Sequence, residues 1–142
     1  MNCHTELTRG GAGGAARILI LDDEPCVSEL LSELLRLLGY EPTKCSSPAE
    51  ALELIGGTRF DVILSDFRMP QMNGDVFFAK ATAKHPELAG RVIFLTGDSM
   101  HDETQAFLQK HSAPHLSKPF DLATVEQLIS RTIAQSHRAV AA

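Results

Sequence analysis

The sequence predicts an α/β domain with a parallel sheet covered by helices on both faces. Three observations carry this. Short apolar runs rich in Ile, Val and Leu recur along the chain and stop at charged or hydroxyl residues, as buried parallel strands do. Stretches of apolar residues at helical spacing separate them. Pro, Gly and Asn punctuate the joins. Strands alternating with helices favour right-handed crossovers and a single doubly covered sheet.

Arg17-Ile-Leu-Ile-Leu21 is the first such run and ends in Asp22-Asp23-Glu24. Pro25 suits the first turn of a helix. Val27, Leu30, Leu31, Leu34, Leu35 and Leu38 follow at helical spacing, and Gly39 ends it. Glu41 to Cys45 is a weaker strand, expected at an edge. Ser47-Pro48-Ala49-Glu50 reads as a capping box, with Ala51, Leu52 and Ile55 on the buried face and Gly56-Gly57 as the stop. Phe60 to Ser65 is a third strand ending at Asp66. Met69-Pro70-Gln71-Met72-Asn73-Gly74 is a loop, with Met69 and Met72 packing it. A helix is expected from Asp75 to about His85, before Pro86. Arg91 to Thr96 is the fourth strand. His101 to Lys110 is a less apolar helix anchored by Phe107 and Leu108. His115 to Ser117 is a short fifth strand. Asp121 caps a last helix carrying Leu122, Val125, Leu128, Ile129 and Ile133.

The chain has 142 residues and a net charge of -5, with 44% hydrophobic and 22% charged residues. That fits one domain with its own core. It offers no basic patch for nucleic acid, and no apolar run nears the roughly 18 residues of a membrane span. The Gly-rich start, residues 1–15, reads as a flexible linker without a signal peptide's apolar segment. It precedes the first strand, so it is no phosphate loop. Residues 16–136 form the domain and 137–142 a tail. Cys3, Cys26 and Cys45 make no CxxC pair and suit a reducing cytoplasm; Cys26 and Cys45 are expected as core fillers. Pro114 denies His111 and His115 a shared helical face, which argues against a metal pair.

Charges sit at strand ends. Asp22 and Asp23 follow the first strand, Asp66 the third, Thr96 the fourth and Lys118 the fifth. Open parallel sheets bind ligands beyond the carboxyl ends of their strands. With the first and third strands adjacent, these groups meet in one crevice. At about 5 Å and an effective dielectric near 20, each carboxylate pair repels by roughly 3 kcal/mol. A divalent cation and Lys118 would offset this, and an all-oxygen ligand set suits Mg²⁺. Lys118 and the Thr96 hydroxyl then suit phosphate oxygens, Gly97 leaves room, and a carboxylate attacking phosphorus would form an acyl phosphate.

Asp22-Asp23, Ser65-Asp66-Phe67-Arg68-Met69-Pro70-Gln71-Met72-Asn73-Gly74, Leu95-Thr96-Gly97 and Ser117-Lys118-Pro119-Phe120 together resemble the signature of response-regulator receiver domains. The resemblance runs from about Arg17 to Ile133. It implies a flavodoxin-like (βα)5 three-layer fold with strand order 2-1-3-4-5. It implies that Asp66 is the phosphoacceptor and that Asp23, Asp66 and the Arg68 backbone carbonyl ligate Mg²⁺, with Asp22 acting through water. Thr96 would swing to the phosphoryl group, Lys118 would pair with it, and the Lys118-Pro119 peptide would be cis. The partners implied are a histidine kinase or histidine phosphotransfer domain and an effector that the sequence does not name. The domain would be a monomer or weak dimer in the cytoplasm, a switch and not a dedicated enzyme.

Two positions depart from the pattern. Family members often carry Tyr or Phe where this chain has His115, and that aromatic couples phosphorylation to the surface. Arg68 and Asp98 flank the path of the hydrolytic water in this family, and their pairing would lengthen the phosphoryl lifetime. Two other functions compete with this one. A haloacid-dehalogenase-like phosphatase needs a second Asp where Arg68 stands. A flavodoxin-like nucleotide or flavin binder needs a phosphate-cradling loop where Asp22-Asp23-Glu24 stands. The residues after Ile133 are too few for a DNA-binding output domain. A free-standing regulator or the receiver of a hybrid histidine kinase is expected, with wording closer to the latter.

Overall fold

The computed structural model describes residues 15–69, 72–97, 102–118 and 120–141. Five strands, β1 (Arg17–Leu21), β2 (Glu41–Cys45), β3 (Val62–Asp66), β4 (Val92–Thr96) and β5 (His115–Ser117), form one sheet. All pairings are parallel and the order is β2-β1-β3-β4-β5. β2 lies at an edge, as its mixed composition suggested. β1, β3 and β4 are the central strands, and their apolar runs are buried on both faces.

The helices are α1 (Pro25–Leu37), α2 (Pro48–Gly57), α3 (Gly74–Lys84), α4 (Asp102–His111) and α5 (Leu122–Ala141), with a 3₁₀ turn at Pro86–Gly90. Leu31 and Leu35 of α1 and Val125 and Ile129 of α5 cover one face, over Ile18, Ile20, Val62, Leu64, Ile93 and Leu95. On the other face, α2, α3 and α4 bring Ala51, Ile55, Phe77, Phe78 and Leu108 onto Leu19, Leu21, Ile63 and Phe94. The alternation of side chains along each strand produces this division.

Local signals explain the helix ends. Ser47 accepts a hydrogen bond from the Glu50 N–H at 3.2 Å, and Asp121 accepts one from the Thr124 N–H at 2.8 Å. Gly39 takes φ 89° after α1, a left-handed turn that glycine adopts without strain.

Several expectations need correction. Leu30 is 50% exposed; Ser28 and Ser32 take buried positions on α1 instead. Cys26 is exposed, whereas Cys45 is buried. β3 begins at Val62, although Phe60 is buried. α3 begins at Gly74. α5 continues to Ala141, through most of the expected tail. The expected linker at residues 1–14, Asp98 and the Lys118-Pro119 peptide geometry lie outside the described residues.

Candidate functional site: an acidic crevice at the strand ends

Leu21 is in register with Ser65, so β1 and β3 deliver Asp22 and Asp66 side by side. Thr96 is in register with Ser117, which sets Lys118 beside the end of β4. The Lys118 N–H donates to the Thr96 carbonyl at 2.9 Å and the Phe67 N–H to the Leu95 carbonyl at 3.1 Å. Asp22, Asp23, Asp66 and Lys118 therefore meet at this rim, and Thr96 ends the neighbouring strand β4.

Carboxylate oxygens of Asp22, Asp23 and Asp66 lie within 4.8 Å of one another. Asp22 is 1% and Asp66 7% exposed. Asp22 Oδ1 accepts from the Glu24 N–H at 2.9 Å. Asp22 Oδ2 is buried and accepts no hydrogen bond of good geometry from a described residue; Lys118 Nζ is 3.4 Å away. The same ammonium lies 3.7 Å from Asp66 Oδ2 and 3.5 Å from Glu24 Oε1. The Thr96 hydroxyl is buried and donates to the Leu116 carbonyl at 3.3 Å.

The electrostatics follow from this crowding. Burial, and then the Asp22 charge, push the Asp66 carboxyl up to about 7, against the pull of Lys118 and the Arg68 N–H. Burial also raises Asp22, despite the Glu24 N–H and Lys118. Burial acts to lower Lys118, but Asp66, Asp22 and Glu24 together raise it. The site has an excess of carboxylate oxygens, one of them, Asp22 Oδ2, buried and accepting no hydrogen bond of good geometry from the described residues. That set fits a hard divalent cation.

The approach to Asp66 is held from below. The Gly74 N–H donates to the Phe67 carbonyl at 2.7 Å. A Cβ at Gly74 would meet Phe67 Cα at 3.0 Å and the Asp66 carbonyl at 3.2 Å. Phe67 itself packs on Phe94 and Phe107, with centroids 5.5 and 5.4 Å apart.

Sequence reasoning missed two contacts. Glu24 reaches Lys118, and its signal was the third acid in Asp22-Asp23-Glu24. The close backbone approach at Gly74 gave only a turn signal. His115 is exposed, and His111 stacks on Phe107 at 4.4 Å. Arg68 is exposed beside the crevice; its expected partner Asp98 is not among the described residues.

Comparison with known proteins agrees with this geometry. The family model described as the response regulator receiver domain matches residues 18–130. The DNA-binding transcriptional regulator NtrC of Escherichia coli K12 is 32% identical over 117 residues, 82% of this chain and 24% of NtrC. The sensor histidine kinase RcsC of the same strain is 30% identical over 113 residues, 80% of this chain and 12% of RcsC. The chain thus spans about a quarter or less of these relatives' lengths. The structure of the Vibrio cholerae chemotaxis protein CheY4 superposes with a TM-score of 0.75 at 28% identity, covering 84% of this chain and 99% of that one. With the family model matched along all five strands, this chain belongs to the response regulator receiver domains of two-component signalling.

Proposed function

We propose that Asp66 accepts a phosphoryl group from a phosphohistidine on a histidine kinase or histidine phosphotransfer domain, and that this switches binding to an effector. The observation that carries the reading is the convergence of Asp22, Asp23 and Asp66 within 4.8 Å, beside Lys118. Asp22, Asp23, Asp66 and the Arg68 carbonyl would hold Mg²⁺, which offsets their charge, keeps Asp66 ionised and neutralises phosphoryl oxygens.

An Asp66 carboxylate oxygen attacks phosphorus in line. The bond from phosphorus to the histidine nitrogen breaks, and the imidazole leaves with the electron pair. The Lys118 ammonium, 3.7 Å from Asp66, is near enough to pair with the incoming phosphoryl oxygens. The Thr96 hydroxyl exchanges the Leu116 carbonyl for a phosphoryl oxygen. The chain then acts as a self-modifying switch, with slow hydrolysis as its only turnover. Family membership supports a cytoplasmic setting.

The test is incubation with Mg²⁺ and acetyl phosphate, followed by intact mass. One phosphoryl adduct is expected on wild type, with none on Asp66→Ala and none in excess EDTA. An adduct that persists on Asp66→Ala, or none on folded wild type, would overturn the assignment.

A further inference from the structure

Lys118 Nζ has three carboxylate neighbours at nearly equal distance: Asp22 at 3.4 Å, Glu24 at 3.5 Å and Asp66 at 3.7 Å. Asp22 and Asp66 are buried, but the Glu24 side chain is 62% exposed. Glu24 therefore stands at the solvent-facing mouth of the crevice. It adds a fourth negative charge to those of Asp22, Asp23 and Asp66. It also shares the ammonium that an incoming phosphoryl group must use.

We propose that Glu24 is a specificity-determining residue for the phosphoryl donor, disfavouring small donors that carry a net charge of minus two. The inference rests on the assignment of Asp66 as acceptor. Each additional negative charge on a donor is opposed by Glu24 at the mouth, in partly solvated surroundings where screening is incomplete. Each also draws Lys118 away from Glu24. A donor with less negative charge, or one whose protein supplies its own cations, meets less opposition.

Two small donors separate these cases. Acetyl phosphate is a dianion at neutral pH; Asp66 attacks its phosphorus, the P–O bond breaks and acetate leaves. Phosphoramidate is a zwitterion of net charge minus one; its P–N bond breaks and ammonia leaves with the nitrogen's protons. Initial rates of adduct formation are measured with each donor, at saturating Mg²⁺ and low salt, for wild type, Glu24→Gln and Glu24→Asp. Glu24→Gln should accelerate acetyl phosphate about three- to tenfold and phosphoramidate less than about twofold. Glu24→Asp keeps the charge and should stay close to the wild-type donor ratio. Raising salt should move the wild-type ratio towards that of Glu24→Gln. A loss of fold would slow both donors alike and leave their ratio unmoved. If the ratio is the same in wild type and in Glu24→Gln that keeps the wild-type thermal midpoint and the wild-type phosphoramidate rate, while the adduct maps to Asp66, the inference fails alone. If Asp66→Ala still forms the adduct, the acceptor assignment fails and the inference falls with it.

Discussion

The two faces of the sheet are built from different side chains. Beneath α1 and α5 the core is mainly aliphatic, with Ile18, Ile20, Val62, Leu64, Ile93 and Leu95 meeting Leu31, Leu35, Val125 and Ile129, and with Tyr40 and Phe120 as its aromatic members. Beneath α3 and α4 it is aromatic. Phe94 lies 5.8 Å from Phe78 and 5.4 Å from Phe107, and both of these rings contact His111. The aromatic face reaches the acceptor through Phe67, the next residue along from Asp66. The aliphatic face has no such link, because Ser65 and Asp66 end β3 and Phe67 turns to the other side. The first face supports the fold, whereas the second also fixes the backbone that presents the carboxylate.

Truncating one large core residue on each face separates these roles. Leu35→Ala should cost about 2–5 kcal/mol and Phe94→Ala about 3–5 kcal/mol, read by urea denaturation. Both residues are fully buried. Among molecules that remain folded, Leu35→Ala should phosphorylate at the wild-type rate. Phe94→Ala should be slower, because Phe67 loses a ring neighbour and the acceptor loop loosens. Equal rates in the two variants would reduce the aromatic face to ordinary core.

The acidic crevice opposes folding. Burial raises the Asp66 carboxyl from 3.8 to about 7 in the folded chain. The sign follows from linkage: a raised carboxyl binds its proton more tightly in the folded state, so stability is lost as pH rises from about 4 to about 7. Asp66→Asn removes that loss. In metal-free buffer at pH 8 it should stabilise the domain by on the order of 2–4 kcal/mol. The gain should vanish below pH 4, where wild type is protonated in both states. Mg²⁺ should stabilise wild type more than the variant and narrow the gap. Thermal midpoints at pH 4 and pH 8, with and without Mg²⁺, check all three.

The central strands and the acidic crevice were legible because each apolar run ends abruptly at its functional residue. Asp22, Asp66, Thr96 and Lys118 could be assigned to one rim from strand order alone. The buried face of α1 was legible only in part, through Leu31 and Leu35. Leu30, Leu31, Leu34, Leu35, Leu37 and Leu38 offer more apolar positions than one stripe can bury, so periodicity does not choose among them. Packing chose Ser28, Leu31, Ser32 and Leu35 and left Leu30 and Leu37 outside. Cys26, one position before Val27, was turned to solvent by the same rotation. Glu24 escaped because it lies one residue past the acidic pair Asp22-Asp23, where a charged residue reads equally well as a solvated helix start, and only the folded crevice brings it 3.5 Å from Lys118.

Gly74 tests the aromatic side at its narrowest point. Its missing side chain lets α3 begin against the Phe67 backbone, and its N–H donates to the Phe67 carbonyl at 2.7 Å. A methyl group there would sit 3.0 Å from Phe67 Cα and 3.2 Å from both the Asp66 carbonyl and Phe67 Cδ2. Two of these neighbours are backbone and cannot rotate away, so β3's end or the start of α3 must shift. Gly74→Ala should therefore cost about 1–3 kcal/mol in stability and slow phosphorylation of the folded fraction. Gly57→Ala is the control, since a Cβ there meets nothing within 4 Å, and alanine favours the helix. The control should keep the wild-type rate and lose no stability. If Gly74→Ala phosphorylated as fast as Gly57→Ala, the acceptor carboxylate would be positioned by β3 alone, and the aromatic face would have no hold on it.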